Sequence, residues 1–404
     1  MADKRERIDH LLTRGVEEVI EKKHLETALL GGKKLRVKLG IDPTGDKIHI
    51  GRAVVIWKLR EFQDLGHTVV LIIGDFTAQI GDPSDKLQKR PFLTKDEVKK
   101  NLQDYLSQIG KILDLKKIEV RYNSEWLAKL NFREVSELAE LFTFQQILER
   151  RNFRERWEKH QEISYREGMY ALMQGYDSVA VKADVELGGS DQLFNLLAGR
   201  KIQEHYDQKP QDILTTRMLT GLDGRKMSTS WGNVVNIADS PDEQFGKIMS
   251  MHDDQIPNYF ELATDVSRET IAGYEKDLQG GRVNPKTIKE KLAVEIVKRY
   301  HGEKAGEEAG KKWESMFSKK EVRAAELPEF KVKRKTLSVL DLVLSPQTAT
   351  RPSLKSKLEW QRLITQGAVS INGEVKKDAR EIVGAKDGDV LKIGKKDFFR
   401  IKIM

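Results

Sequence analysis

Between Leu35 and Ile73 the apolar residues change period twice, and this limits the possible folds more than any other feature of the chain. Leu35 to Ile41 alternates apolar and basic residues, Asp42-Pro43-Thr44-Gly45 makes a turn, Ile50 to Leu65 has helical spacing ended by Gly66-His67, and Val69 to Ile73 is an unbroken apolar run. Strand, helix and strand within about 40 residues form a βαβ unit, which requires a parallel sheet and a right-handed crossover. Ligands of such sheets bind outside the carboxyl ends of the strands. His49-Ile50-Gly51-Arg52 lies at that end and opens the helix, where unpaired N–H groups favour phosphate.

A second segment, Lys226-Met227-Ser228-Thr229-Ser230, falls about 175 positions later in a loop rich in glycine and charge. It offers a mobile cation flanked by hydroxyls, suited to a triphosphate. Taken with the imidazole and bare glycine of the first segment, it reads as equipment for activating a carboxylic acid with ATP.

The rest of the chain supplies elements around this pair. Gly74 to Arg90 is a loop rich in Gly, Asp, Lys and Arg. Helical patterns are expected at Thr94 to Leu113 and Phe132 to Glu149, with a strand at Ile118 to Tyr122 between them. The second helical pattern has an apolar face to bury, in this chain or against a second copy. Ser178 to Leu187 reads as a strand, Gln192 to about Tyr206 as a helix and Ile213 to Met218 as a further strand. Residues 241–320 read as a separate helical domain, 321–336 as a linker and 337–404 as a small α+β domain. The fold class expected is therefore α/β, a Rossmann-like catalytic domain over residues 1–240 followed by a helical and a small α+β domain.

Composition narrows the chemistry. With 404 residues the chain has room for two or three domains. The absence of cysteine removes disulfides, thiol catalysis and Cys-based zinc sites together, and eight scattered His without a His-Glu-x-x-His pattern give no resident metal. No apolar run approaches the roughly 18 residues that span a bilayer, and the N-terminus lacks the apolar core of a signal peptide, so a cytoplasmic protein with no membrane partner is expected. The net charge of +8 is unevenly placed: residues 331–404 hold 17 Lys/Arg against 8 Asp/Glu, which leaves the rest at −1. A basic tail suits a polyanion, and nucleic acid fits best.

These segments resemble those of the bacterial tyrosyl-tRNA synthetases, which are class I aminoacyl-tRNA synthetases, from about residue 5 onward. His49 to Arg52 resembles the family's His-Ile-Gly-His signature, Lys226 to Ser230 its Lys-Met-Ser-Lys-Ser loop, and residues 337–404 the RNA-binding domain shared with a ribosomal small-subunit protein. The resemblance implies L-tyrosine, ATP with Mg2+ and tRNA(Tyr) as reactants, and a homodimer formed through Phe132 to Glu149. It places Tyr170, Gln174 and Asp82 at the substrate ammonium, Asp177 at the phenol hydroxyl and Gln192 near the ring and carboxylate. Gly40, Asp42, Gly51, Gly189 and Asp191 fall to adenosine, together with Met227 and Ser228, while His49, Lys86, Arg90 and Lys226 fall to the phosphates.

Read from residue type alone, Tyr170, Gln174 and Asp177 also fit the polar face of an ordinary helix, and Lys86 and Arg90 also fit solvated charges. Lys355, Lys357 and Arg362 on one helix, with Lys376, Lys377 and Arg380 after a turn, suit tRNA phosphates. The sequence departs from the family pattern at three places. Arg52 replaces a second histidine, Thr229 replaces a lysine, and Lys38 replaces a tyrosine that in some members touches the phenol. Slower activation rather than none is expected, with Arg225 standing in for part of the lost loop charge. The rival readings are a tryptophanyl-tRNA synthetase and an RNA-binding paralogue that has lost the chemistry.

Overall fold

The computed structural model describes residues 2–84, 93–102, 104–317, 329–332, 336–344, 357–394 and 397–403. It divides into two compact units, residues 1–309 and 310–404. The first is built on a six-stranded sheet of β1 (Val16–Ile20), β2 (Arg36–Ile41), β3 (Thr68–Ile73), β4 (Ile118–Tyr122), β5 (Val185–Gly189) and β6 (Asp212–Thr216), in the order β1-β6-β5-β2-β3-β4. Strands β2 to β6 are parallel, and β1 is added antiparallel to β6.

The chain runs outward from β2 through β3 and β4, then returns to the other side of β2 at β5. The carboxyl ends of β2 and β5 consequently flank the point where the winding reverses, and a crevice opens there. Val69 to Ile73 on β3 is wholly buried, which accounts for its unbroken apolar run. The first strand was not legible: Glu17 and Glu18 point to solvent, so this edge strand carries no apolar alternation.

Three expected elements differ in the structure, the first being Thr94 to Leu113, which is two helices, Lys95–Leu102 and Tyr105–Ile109. Ser178 to Val181 belongs to the helix Tyr170–Val181, and the strand begins only at Val185. The β-branched run mimics a strand, but helix packing overrides it. A Cβ at Gly175 would lie 2.6 Å from Ile202 Cδ1 and 3.2 Å from the Ala198 carbonyl carbon, so glycine lets the Tyr170–Val181 helix press closely on the Leu193–His205 helix. Phe132 to Glu149 is two helices, Phe132–Glu140 and Phe144–Leu148. Thr143 and Gln146 form a capping box that starts the second and so breaks the first.

Helices Pro241–Met249, Ile256–Ala263, Arg268–Gln279 and Pro285–His301 pack in the same unit as the sheet. Arg14 donates to the carbonyls of Phe260, Glu261, Thr264 and Val266 at 2.7–3.1 Å, which satisfies the free end of the Ile256–Ala263 helix. Trp57, on the Ile50–Asp64 helix, donates to the Tyr300 hydroxyl at 3.2 Å.

The second unit has its own core around Phe330, Val339, Leu342, Trp360, Ile364, Leu391 and Ile401. Its larger sheet has five strands, and a two-stranded pair, Thr336–Ser338 with Ile382–Gly384, accompanies it. Within the stretch expected to be a linker, Glu329–Val332 is a strand paired in parallel with Asp397–Ile403. Its alternate residues Phe330 and Val332 are buried, a period-2 pattern too short to stand out beside the surrounding charges.

Candidate active site

The crevice at the winding reversal is a cavity of about 1310 Å3 within the first unit. Gly40, Asp42, His49, Gly51, Arg52, Asp82, Tyr170, Gln174, Asp177, Gly189, Asp191, Gln192 and Lys226 to Thr229 all line it. Residues from separate chain segments therefore line one cavity. Lys86, Arg90 and Lys355 lie outside the described residues.

One end of the cavity is acidic. Tyr170 donates its hydroxyl to Asp42 Oδ2 at 2.8 Å, and Thr77 donates to Asp42 Oδ1 at 2.7 Å. Burial, then Asp42, Asp82 and Asp177, push the Tyr170 phenol well above its ordinary range, so it stays a neutral donor. Asp42 and Asp82, acting together on this tyrosine, give the end the field that an ammonium group would neutralise. Gln192 donates to Asp82 Oδ2 at 2.8 Å and holds that carboxylate in place.

Asp177 is buried at the base of this end. Its Oδ1 accepts from Trp126 Nε1 at 2.7 Å, and Oδ2 accepts from Asn123 Nδ2 at 3.4 Å. Burial raises its carboxyl to about 7, opposed by Lys38 and by these two donors. A carboxylate held by two donors but still facing a cavity keeps lone pairs for a ligand hydroxyl.

The other end is basic. His49 caps the Ile50–Asp64 helix, its Nδ1 accepting the Arg52 amide N–H at 3.2 Å, which fixes the ring against the cavity wall. Arg52 donates to the Tyr105 hydroxyl at 2.8 Å and to Thr44 Oγ1 at 3.1 Å. The segment after the lysine loop is laced to this helix start, with Ile50 N–H donating to the Val235 carbonyl at 2.8 Å and Ile237 N–H to that of Ile48 at 2.9 Å.

Within the loop, Asn233 receives the Ser228 N–H at 2.8 Å and donates to the Lys226 carbonyl at 3.0 Å. Lys226 Nζ stands 4.0 Å from Asp191, and Met227 is buried. A Cβ on Gly51 would meet Met227 Sδ at 2.7 Å, so this glycine admits the loop to the helix start. Gly40 has open space where its Cβ would project, as a surface approached by a ligand requires. Arg225 is held by Asp223 at 2.5–2.8 Å and lies over Trp231, away from the cavity lining, so it does not restore the charge missing at Thr229.

Residues 31–318 match the family of class I tRNA synthetases (W and Y). The chain is 45% identical to the tyrosine–tRNA ligase of Thermotoga maritima over 97% of its own length and 96% of that protein's. It is likewise 45% identical to the tyrosine–tRNA ligase of Carboxydothermus hydrogenoformans, with the same coverage of both chains. The chain belongs to the class I tRNA synthetase family.

Two solved structures share the fold of this synthetase. A C-terminally truncated mitochondrial tyrosyl-tRNA synthetase of Aspergillus nidulans superposes with a TM-score of 0.63 at 21% identity, over 77% of this chain and 94% of that one. The tyrosyl-tRNA synthetase of Archaeoglobus fulgidus, complexed with L-tyrosine, gives 0.60 at 20% identity over 76% and 99%.

Several residues of the synthetase site were missed in the sequence. Buried Asn195 donates to Gln174 Oε1 and Gln192 Oε1, both at 3.0 Å, and ties the two glutamines together. Arg150 is buried against the cavity, donating to Ser84 Oγ at 2.7 Å and lying 4.7 Å over the Phe194 ring. Asn123 and Trp126 follow β4 at its carboxyl end, the position where the parallel sheet predicts ligand contacts, and that signal could have found them.

Lys38 proves to be placed differently from the other expected site residues. It is fully buried behind the cavity wall, paired with Glu186 at 2.9 Å, and does not line the cavity. In the second unit, Lys357, Arg362, Lys377 and Arg380 are exposed. Lys376 is buried and neutralised by Glu374 and Glu381, each at 2.7 Å, which takes it out of the surface available to phosphates.

Proposed function

We propose that this chain is a tyrosine–tRNA ligase that joins L-tyrosine to ATP as tyrosyl-adenylate and then passes tyrosine to the terminal adenosine of tRNA(Tyr). One observation carries the reading: a buried carboxylate, Asp177, and an acidic, amide-rich end share a single cavity with the His49 helix start and the Lys226 loop. The acidic end fits the ammonium of an amino acid, and Asp177 fits a phenol hydroxyl at the far end of the side chain. Such an acceptor discriminates against phenylalanine, which leaves it unpaired; tyrosyl-tRNA synthetases are themselves the established example of this kind of selectivity.

The tyrosine carboxylate attacks the α-phosphorus of ATP in line, the bond to the β-phosphate oxygen breaks, and pyrophosphate leaves. Neither step needs a covalent enzyme intermediate; the work is positioning and charge stabilisation. Lys226, His49 and Arg52 offset the developing negative charge, with Lys86 and Arg90 assigned to the same phosphates. Gly40, Gly51 and Gly189 give the nucleotide a close backbone surface, Asp191 takes a ribose hydroxyl, and Asp42 serves the substrate end through Tyr170. Among the described residues no three His, Asp or Glu converge on a cation-sized site. Magnesium is assigned as the counter-ion of the ATP and pyrophosphate phosphates.

The terminal ribose hydroxyl of tRNA then attacks the adenylate carbonyl and AMP departs. The exposed basic residues of the second unit, Lys357, Arg362, Lys377 and Arg380, hold tRNA phosphates, and the helices of residues 241–320 serve the anticodon. Among the described residues no helix is long and apolar enough to cross a membrane; the enzyme works in the cytoplasm. Phe132 is 88% exposed and Phe144 61%, on the two short helices that we assign to a homodimer interface. Tyrosine-dependent exchange of labelled pyrophosphate into ATP tests the whole reading. Exchange with tryptophan alone, or with neither amino acid, overturns it.

A further inference from the structure

Behind the amino-acid end of the cavity lies an ion pair that the reaction as described does not use. Lys38 on β2 and Glu186 on β5 have side chains 0% exposed and meet at 2.9 Å. Lys38 Nζ also donates to the Gln174 carbonyl at 2.9 Å and to Ser178 Oγ at 2.8 Å, so its three N–H bonds are all occupied. Glu186 in turn accepts from Gln174 Nε2 at 3.2 Å, from Ser178 Oγ at 3.1 Å and from Gln211 Nε2.

Apolar residues of similar volume would fill this space without removing two charges from water. What the pair adds is direction and field. Its direction is set on Gln174 and Ser178, which bracket Asp177 on the same helical turn. Its field reaches Asp177 itself: the titratable groups acting there are Lys38 from β2, Glu186 from β5 and Tyr170 from its own helix, while Trp126 and Asn123 contribute uncharged donors. Lys38 favours the carboxylate form and Glu186 opposes it.

We propose that Lys38 is a positioning residue for substrate specificity, clamping the Gln174–Ser178 turn from behind and holding Asp177 as the carboxylate that accepts the phenol hydroxyl. This rests on the assignment of Asp177 to the phenol. An ionised Asp177 can only accept, so tyrosine gains a bond that phenylalanine cannot make. A protonated Asp177 blurs that difference, and Lys38 works against burial to shift Asp177 toward the carboxylate.

The test uses the full chain and pyrophosphate exchange with tyrosine and with phenylalanine across pH 5.5–9. Lys38→Met is expected to move the acid limb of kcat/KM for tyrosine upward by about one pH unit from the carboxyl's position near 7, a loss of about fivefold near pH 7 that approaches tenfold below about pH 6, and to lower the tyrosine-to-phenylalanine ratio there. Glu186→Gln removes the opposing charge and moves the limb the other way. Lys38→Arg keeps the charge and leaves the limb in place. Shifts of the same sign in Lys38→Met and Glu186→Gln, or no shift in either, overturn the proposal, because loosened packing cannot produce opposite signs. If Lys38→Met does not fold, the direction of the Glu186→Gln limb decides alone. An acid limb that survives unchanged in Asp177→Asn belongs to another group and overturns the Asp177 assignment instead.

Discussion

Arg52 donates to the Tyr105 hydroxyl at 2.8 Å and to Thr44 at 3.1 Å, so the residue standing at the second histidine of the family signature is fixed to the cavity wall. A guanidinium held from two sides enters the reaction already ordered. Arg52→Ala is expected to lower the rate of tyrosyl-adenylate formation by about 10²-fold, with KM for tyrosine nearly unchanged. Tyr105→Phe removes one of these restraints and is expected to cost about tenfold in the same rate. Single-turnover kinetics of adenylate formation measure both; an unchanged rate in Arg52→Ala would remove Arg52 from the phosphate end.

Gly51 and Met227 make a second prediction, because the two signature segments touch there. A Cβ on Gly51 would lie 2.7 Å from Met227 Sδ and 3.1 Å from His49 Nδ1. Gly51→Ala is expected to push the loop off the helix start and to reduce pyrophosphate exchange by about 10²-fold. If the Met227 clash is responsible, Gly51→Ala/Met227→Ala recovers about tenfold of that loss. Absence of recovery would show that the methyl group obstructs the nucleotide or His49 instead.

Asp177 makes stability depend on pH. Burial lifts its carboxyl from the ordinary 3.8 to about 7. The unfolded chain releases this proton near pH 4 and the folded chain only near 7, so between them the folded state binds more protons and stability falls as pH rises. Asp177→Asn removes that slope. Relative to the parent, the variant is expected to gain on the order of 3 °C in Tm at pH 8, and the gain shrinks toward pH 5. The same variant is expected to lose about 10²-fold or more in kcat/KM for tyrosine, as a bond to the phenol is lost. Scanning calorimetry at the two pH values and exchange kinetics separate the two effects; equal Tm differences at both pH values would contradict the raised carboxyl.

The βαβ unit and the two signature segments could be read in the sequence because each is local: a change of period, a turn and a short motif. The site's base could not. Asp177 was visible as one residue of an i, i+4, i+7 face, but its partners Asn123 and Trp126 come from beyond β4, 54 and 51 positions earlier. Lys38 looked like the basic partner in an alternating strand, and only the neighbouring strand β5 turns it inward to Glu186. The Ser178–Val181 run failed for the same reason, since the contact of Gly175 with the Leu193–His205 helix, which fixes it as helix, is invisible in a local window.

Phe132 and Phe144 present apolar rings to solvent on two helices secured by capping boxes, and Phe144 sets its ring 5.7 Å from that of Tyr165. A face of this kind is stable in water when a second copy covers it. Phe132→Asp is expected to convert a dimer into a monomer at micromolar concentration, as read by sedimentation or light scattering. A monomeric parent protein would contradict the interface.

The basic surface of the second unit separates exposed from neutralised charge. Lys357, Arg362, Lys377 and Arg380 face solvent, whereas Lys376 is buried between Glu374 and Glu381. Phosphate contacts release counter-ions, each contributing about 0.7–0.9 to the slope of log affinity against log salt. Replacing the four exposed residues by Gln is expected to flatten the slope for tRNA(Tyr) by up to about 3 while leaving tyrosine-dependent pyrophosphate exchange intact. Lys376→Gln leaves the slope unchanged, because its charge is already neutralised within the fold. Filter binding from about 50 to 300 mM salt measures both, and a slope lowered as much by Lys376→Gln as by each exposed residue would show that the ion pairs open to admit the RNA.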